Sequence, residues 1–209
     1  MIEVDDWQEL LADWNAQLLS DPDITAHIPQ DVCQSGWLGY SGATEEQIQA
    51  AEARLDIELP ASYRAFLKVT NGWHHTGYFI YRMRPVEEIE WYYTQNKESI
   101  DPIVDVYQAM GPIPDQDYFV YGDKQRSAVY RAEYLLSAIQ ISDIGDAAVY
   151  LLNPEVRTAD REWEAWFFSS WVPGANRFPS FWQMMQWEHQ NYKELKAEKL
   201  LEQLQTPPK

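Results

Sequence analysis

The stretch LDIELPASYRAFLKVTNGW, Leu55 to Trp73, decides how the chain is read. Pro60 has no backbone N–H to give, so it fits a first helical turn and not a helix interior. The stretch therefore reads as the end of one helix, an elbow at Asp56–Leu59 with Ile57 and Leu59 turned inward, and a second helix from about Pro60 to Thr70. Tyr63, Phe66 and Leu67, at spacings of 3 and 1, make the buried face of that helix. Asn71-Gly72 is expected to supply the left-handed residue that closes it, and Trp73 turns the chain into a sheet.

Upstream, Thr44-Glu-Glu-Gln47 has the form of a capping box. Ile48, Ala51 and Leu55 give the helix it opens an apolar stripe. Residues 4–19 also read as a helix: Val4, Trp7, Leu11, Trp14 and Leu18 share one face, and Asp5, Asp6, Glu9 and Asp13 fall mostly elsewhere. Asp21-Pro22 ends it, and residues 21–43, punctuated by Pro22, Pro29, Gly36, Gly39 and Gly42, read as a connection.

Downstream, strand-like runs appear at Tyr78–Met83, Tyr118–Tyr121, Glu133–Ile141, Ala147–Leu152 and Glu162–Trp171, with a turn signal at Asp143–Asp146. They predict an antiparallel sheet joined by hairpins, interrupted by helix near Val86–Asn96 and again near Ile103–Met110. Ser180-Phe-Trp-Gln183 opens a last helix with Phe181, Met184 and Met185 on its apolar face. The mixed charges from Lys193 to Glu202 read as a solvated surface, and Thr206–Lys209 as a frayed end.

The chain has 209 residues, a formal charge of −17, and ten Trp, thirteen Tyr and seven Phe, most of them expected to fill the core. Residues 1–58 hold thirteen Asp and Glu against one basic residue, Arg54, a balance of −12; the remainder carries −5. Such a front end repels nucleic acid, whose binding needs Lys and Arg on phosphates, and repels anionic lipid. It favours basic partners. No apolar run of about 18 residues is present, the start Met1-Ile-Glu-Val-Asp-Asp is not that of a secretory signal, and Cys33 is the single cysteine. These features point to the cytoplasm.

The segment ATEEQIQAAEARLDIELPASYRAFLKVTNGW, from Ala43, resembles the SUKH superfamily, which includes the yeast Smi/Knr cell-wall regulator and many bacterial immunity proteins. The motif positions are Leu59, Pro60, Tyr63, Phe66, Leu67, Asn71 and Gly72, after the capped helix. Pro85–Ile89, Ile144–Asp146 with Tyr150-Leu-Leu, and Ser180-Phe181 resemble later family segments, so the likeness covers about Ala43 to Met185. It implies an α+β fold, a central mostly antiparallel or mixed sheet with helices against it, and a non-enzymatic binding role. Bacterial members typically neutralise a delivered toxin, often a nuclease; eukaryotic members act as regulatory scaffolds. The chain then divides into an acidic helix and connection at 1–42, the SUKH-like part at 43–190, and a charged tail at 191–209, in one globular unit. The insert near 97–131 lies outside the common pattern.

Catalytic and metal chemistry finds little support. His74 and His75 are adjacent and point apart in extended chain, and His27 and His189 are distant in sequence. Cys33 has no local base. Asp115/Asp117, Asp143/Asp146 and Glu162/Glu164 are pairs of a kind expected by chance among 33 acids. No Ser elbow, phosphate loop or HExxH helix occurs, so no catalytic residue, cofactor or metal is expected. The expected partner is a basic protein, with a toxin or nuclease domain the leading case. Asp5, Asp6, Glu9, Asp13, Glu45 and Glu46 would steer the encounter, and Trp73 would anchor it. Trp91 and Tyr92 are read first as core rings, with partial exposure as the alternative.

Overall fold

A computed structural model describes residues 2–205. The opening stretch folds as its residues dictate. Helix α4, Glu45–Leu55, begins on the Thr44 capping box: Gln47 N donates to Thr44 Oγ1 at 3.3 Å, and Thr44 N donates to Gln47 Oε1 at 2.8 Å. It ends at Asp56 in the left-handed region. Pro60 then caps α5, Ala61–Val69. Pro60 offers no side-chain cap, and Glu162 supplies one from a distant hairpin, accepting 2.8 Å from Ser62 N and 2.6 Å from Ser62 Oγ.

Asn71-Gly72 acts differently from expectation. Thr70 leaves the helix in an extended conformation. Asn71 then takes Val86 N on its Oδ1 at 2.7 Å, and Gly72 adopts φ 103° where a Cβ would lie 2.9 Å from the Met83 carbonyl. The pair is thus a clamp on the next hairpin and not a helix cap.

Before this unit come α1, Val4–Leu19, and two short helices, α2 (Pro22–Thr25) and α3 (Gln30–Ser35), inside the segment read as a connection. Strands β1, Trp73–His74, and β2, Arg82–Met83, pair antiparallel. Their connection stays hydrogen-bonded, Thr76 N to Ile80 O and His75 N to Tyr81 O, so Tyr78–Tyr81 forms the tip of a hairpin and not a strand.

The main sheet is antiparallel throughout, in order β3 (Glu90–Trp91), β4 (Ile139–Gln140), β5 (Ala148–Arg157), β6 (Trp163–Ser169), β7 (Gly174–Phe178). Tyr150 and Leu152 of β5, with Ala165 and Phe167 of β6, face α1, α5 and the last helix, α8 (Phe181–Gln205). Val149 and Leu151, with Trp166, face the opposite core. Alternation is the pleat of a strand, and because both faces are covered, Ala148–Leu152 reads as one apolar run.

The second face is covered by the insert. Here the sequence reading needs correction. The expected helix at Val86–Asn96 is a turn, then β3, then α6, Tyr92–Met110. α6 leaves helical geometry at Asn96, whose side chain donates to Tyr92 O at 2.9 Å. At the expected strand Tyr118–Tyr121, Tyr118 ends a short helix, α7 (Asp115–Tyr118), with Pro114 at its N-cap, and residues 119–121 are not strand. The expected strand Glu133–Ile141 is a 3-10 turn, Ala132–Leu136, followed by two residues of β4. Tyr118 and Tyr121 instead reach Glu164 on β6 from a covering layer. The expectation for Thr206–Lys209 lies outside the described residues.

Candidate partner-docking surface

Helix α1 buries Trp7, Leu11, Trp14 and Leu18. Trp7 packs its indole against Phe66 at 5.2 Å and Trp182 at 4.7 Å, and its Nε1 donates to Ser62 O at 2.9 Å. Helix α1 is therefore fastened to α5 and α8. With that face used, Asp5, Glu9 and Asp13 stand on the exposed side at steps of four. Asp5 and Glu9 have no ion-pair partner among the described residues. Asp13 accepts from Gln17 Nε2 at 2.8 Å and lies 3.2 Å from His189 Nε2. Burial, helped by Lys193, holds the His189 pKa below its ordinary value and so favours the neutral ring.

The other candidates separate from this stripe. Asp6 is exposed, and its carboxylate accepts from Glu3 N at 2.8 Å, closing the α1 capping box. Glu45 is spent within the molecule, bridged by Arg64 and by Lys68 at 3.1 Å; Arg64 also binds Glu52. Glu46 is exposed on α4. α5 packs against both α1 and α4, so the α4 acids do not extend the α1 stripe.

Trp73 is a correction. It is 1% exposed, edge-on to Trp37 at 4.9 Å, and cannot anchor a partner. Its position after Gly72 puts it on β1, beneath the Gly39 bridge. Tyr92 is likewise buried, and Trp91 is half-buried in β3. The motif residues Leu59, Tyr63, Phe66 and Leu67 are all core.

The exposed aromatics are others. Trp171, in the β6–β7 turn, is 48% exposed and donates from Nε1 to Asp146 O at 3.0 Å. Its ring meets Phe79 at 4.9 Å and Phe167 at 5.5 Å. Trp187 on α8 is 37% exposed and meets Phe178 at 5.2 Å. A signal for Trp187 was present: it falls off the helical face set by Phe181, Met184 and Met185. Trp171 had none beyond its place in a Ser-Ser-Trp-Val-Pro turn. α8 thus lies between two unlike borders: the carboxylates of α1 and the Trp187–Trp171 cluster.

Among the described residues no histidine is hydrogen-bonded to a Ser, Thr or Cys, and no three His, Cys, Asp or Glu side chains lie at metal-binding spacing. Glu162 is raised above the usual range by burial, against the two Ser62 donors, and serves as a helix cap. No helix among the described residues is long and apolar enough to cross a membrane.

These features define a class: an α+β chain with helices packed on a mainly antiparallel sheet and an acidic helix on its surface. Residues 42–187 match the model of the SMI1 / KNR4 family (SUKH-1), and the chain belongs to that family. No curated protein matches it. Family members are generally protein-interacting.

Proposed function

We propose that this protein is a cytoplasmic, non-enzymatic binding module that captures a basic protein, and that the capture neutralises a toxin, with a nuclease domain the leading case. The observation that carries this reading is the stripe Asp5, Glu9, Asp13. Like charges four residues apart cost a helix a few tenths of a kcal/mol per pair, and α1 holds two such pairs and no Lys or Arg of its own. A nuclease presents Lys and Arg where phosphates bind, so an acidic stripe complements the surface it must block. The test is co-purification from the source cell, followed by association kinetics of the recovered partner with the native chain and with Asp5, Glu9 and Asp13 all changed to Lys. Slower association and a shallower salt dependence are expected; unchanged values would overturn this placement.

A second reading, a regulatory scaffold of the Smi/Knr type without a toxin partner, is favoured by the insert. Met110 is 75% exposed at the end of α6, near Pro112, Ile113 and Pro114. In that case Met110→Glu, and not the α1 reversals, abolishes co-purification.

A further inference from the structure

Beside the α1–α8 seam, a cavity of about 720 Å³ is lined by Asp23, His27, His75, Tyr78, Tyr81 and Lys199, among others. Its walls are rings. His75 and Tyr81 lie 5.2 Å apart, and His27 and His75 6.5 Å apart. The Tyr78 ring is held by its hydroxyl, which donates to Asp21 at 2.8 Å. His75 is non-glycine at φ 43°, a conformation that must be imposed by its surroundings. It is 5% exposed, and its Nδ1 makes no hydrogen bond. Burial keeps this imidazole's pKa low, so the ring presents a neutral π-face.

The cavity already holds one cation. Lys199 Nζ lies 2.5 Å from Asp23 Oδ2 and 5.1 Å from the Tyr78 ring centroid. Tyrosine faces attract ammonium groups, and a carboxylate beside them adds charge. Lys199 is half exposed and sits near the end of α8, so it can leave without disturbing the core.

We propose that this cavity receives a lysine side chain of the partner, and that Lys199 is the internal ammonium it displaces. The inference rests on the reading that the partner is basic; it adds a specific seat for one of its cations. A front end carrying −12 favours a cationic occupant over an anionic one.

The test needs no natural partner. N-acetyl-lysine-N-methylamide is titrated into the full chain and followed by NMR of the aromatic rings. Saturable shifts confined to Tyr78, Tyr81, His27 and His75 are expected, with a millimolar Kd fitting so small a probe. Lys199→Met, at an exposed site compatible with folding, should tighten binding about five-fold by removing the competing ammonium. Adding Asp23→Asn to Lys199→Met should reverse that gain. N-acetyl-norleucine-N-methylamide should give no such shifts. Equal binding of the norleucine compound, or no gain in Lys199→Met, overturns the proposal. A micromolar Kd for free choline would make this a metabolite site and overturn it too. The α1 stripe takes no part in this titration, so its failure and failure of the basic-partner reading are separate results.

Discussion

The Glu164 carboxylate and the Arg177 guanidinium, both 0% exposed, lie 3.1 Å apart on neighbouring strands. Glu164 also accepts from Tyr118 at 2.5 Å, Tyr121 at 2.9 Å, Asn153 at 3.0 Å and Trp166 at 2.6 Å. Two of these donors come from the insert, so the pair fastens that layer to the sheet. Removing one partner strands a buried charge. Arg177→Met is expected to lower stability by about 3–5 kcal/mol in urea denaturation. The double change Glu164→Gln, Arg177→Met should recover part of that loss, since the neutral amide leaves no buried charge while its oxygen can still accept from Tyr118, Asn153 and Trp166. An Arg177→Met protein as stable as the parent would show that the pair contributes nothing.

Glu188 sets a pH dependence. It is 4% exposed at the α8–sheet contact, its Oε1 has no hydrogen-bond partner, and burial pushes its pKa up from 4.5 to about 8. The folded state therefore keeps a proton that the unfolded chain releases near pH 4.5. Its contribution is fully present below pH 4.5 and is lost as pH rises toward about 8. Between those values the slope is about −1.4 kcal/mol per pH unit. Glu188→Gln cannot titrate, so its urea midpoint should gain on the parent's as pH rises from 5 to 8. The buried His75 and His189 are in both proteins, and the difference isolates Glu188. Parallel midpoints across that range would refute the assignment.

Trp73 separates core from surface. Trp73→Ala should cost about 3–5 kcal/mol, the loss for emptying a large buried ring site. The partner's association rate, measured with the folded fraction, should stay at the parent value. A selective loss of association with stability intact would return Trp73 to the docking surface.

The helical half of this fold was legible because its signals are local. A capping box at Thr44, a Pro60 that cannot sit in a helix interior, and stripes at steps of three and four each act within a few residues. The same holds for β5 and β6, long enough to show their apolar runs. The insert was not legible. Tyr118 and Tyr121 look like strand residues, yet what positions their hydroxyls is Glu164, more than forty residues on. Asn71 read, with Gly72, as a helix stop, and its side chain in fact bonds Val86 N. The same distinction holds for the surface: periodicity placed the acids of α1 outside, whereas Glu45 looked free until α5 brought Arg64 and Lys68 to it. Exposure of Trp171 depends on a turn closed by the Asp146 carbonyl from another hairpin.

The α1 stripe gives a prediction in which stability and binding move in opposite directions. Glu9 has Asp5 one turn before it and Asp13 one turn after it, all on the exposed side. Glu9→Lys turns both repulsions into attractions, with Asp5 N-terminal to the new Lys in the favourable order. The change should raise unfolding free energy by about 0.5–1 kcal/mol at low salt, less at high salt. If the stripe serves only to keep the chain apart from its neighbours, binding of the co-purified partner should not change. If it steers a basic partner, the stabilised protein should associate more slowly, with the deficit shrinking as salt screens both surfaces. Stopped-flow association at two ionic strengths, beside a urea titration of the same sample, reads both quantities. A Glu9→Lys chain that is more stable and binds as fast as the parent would remove α1 from the interface.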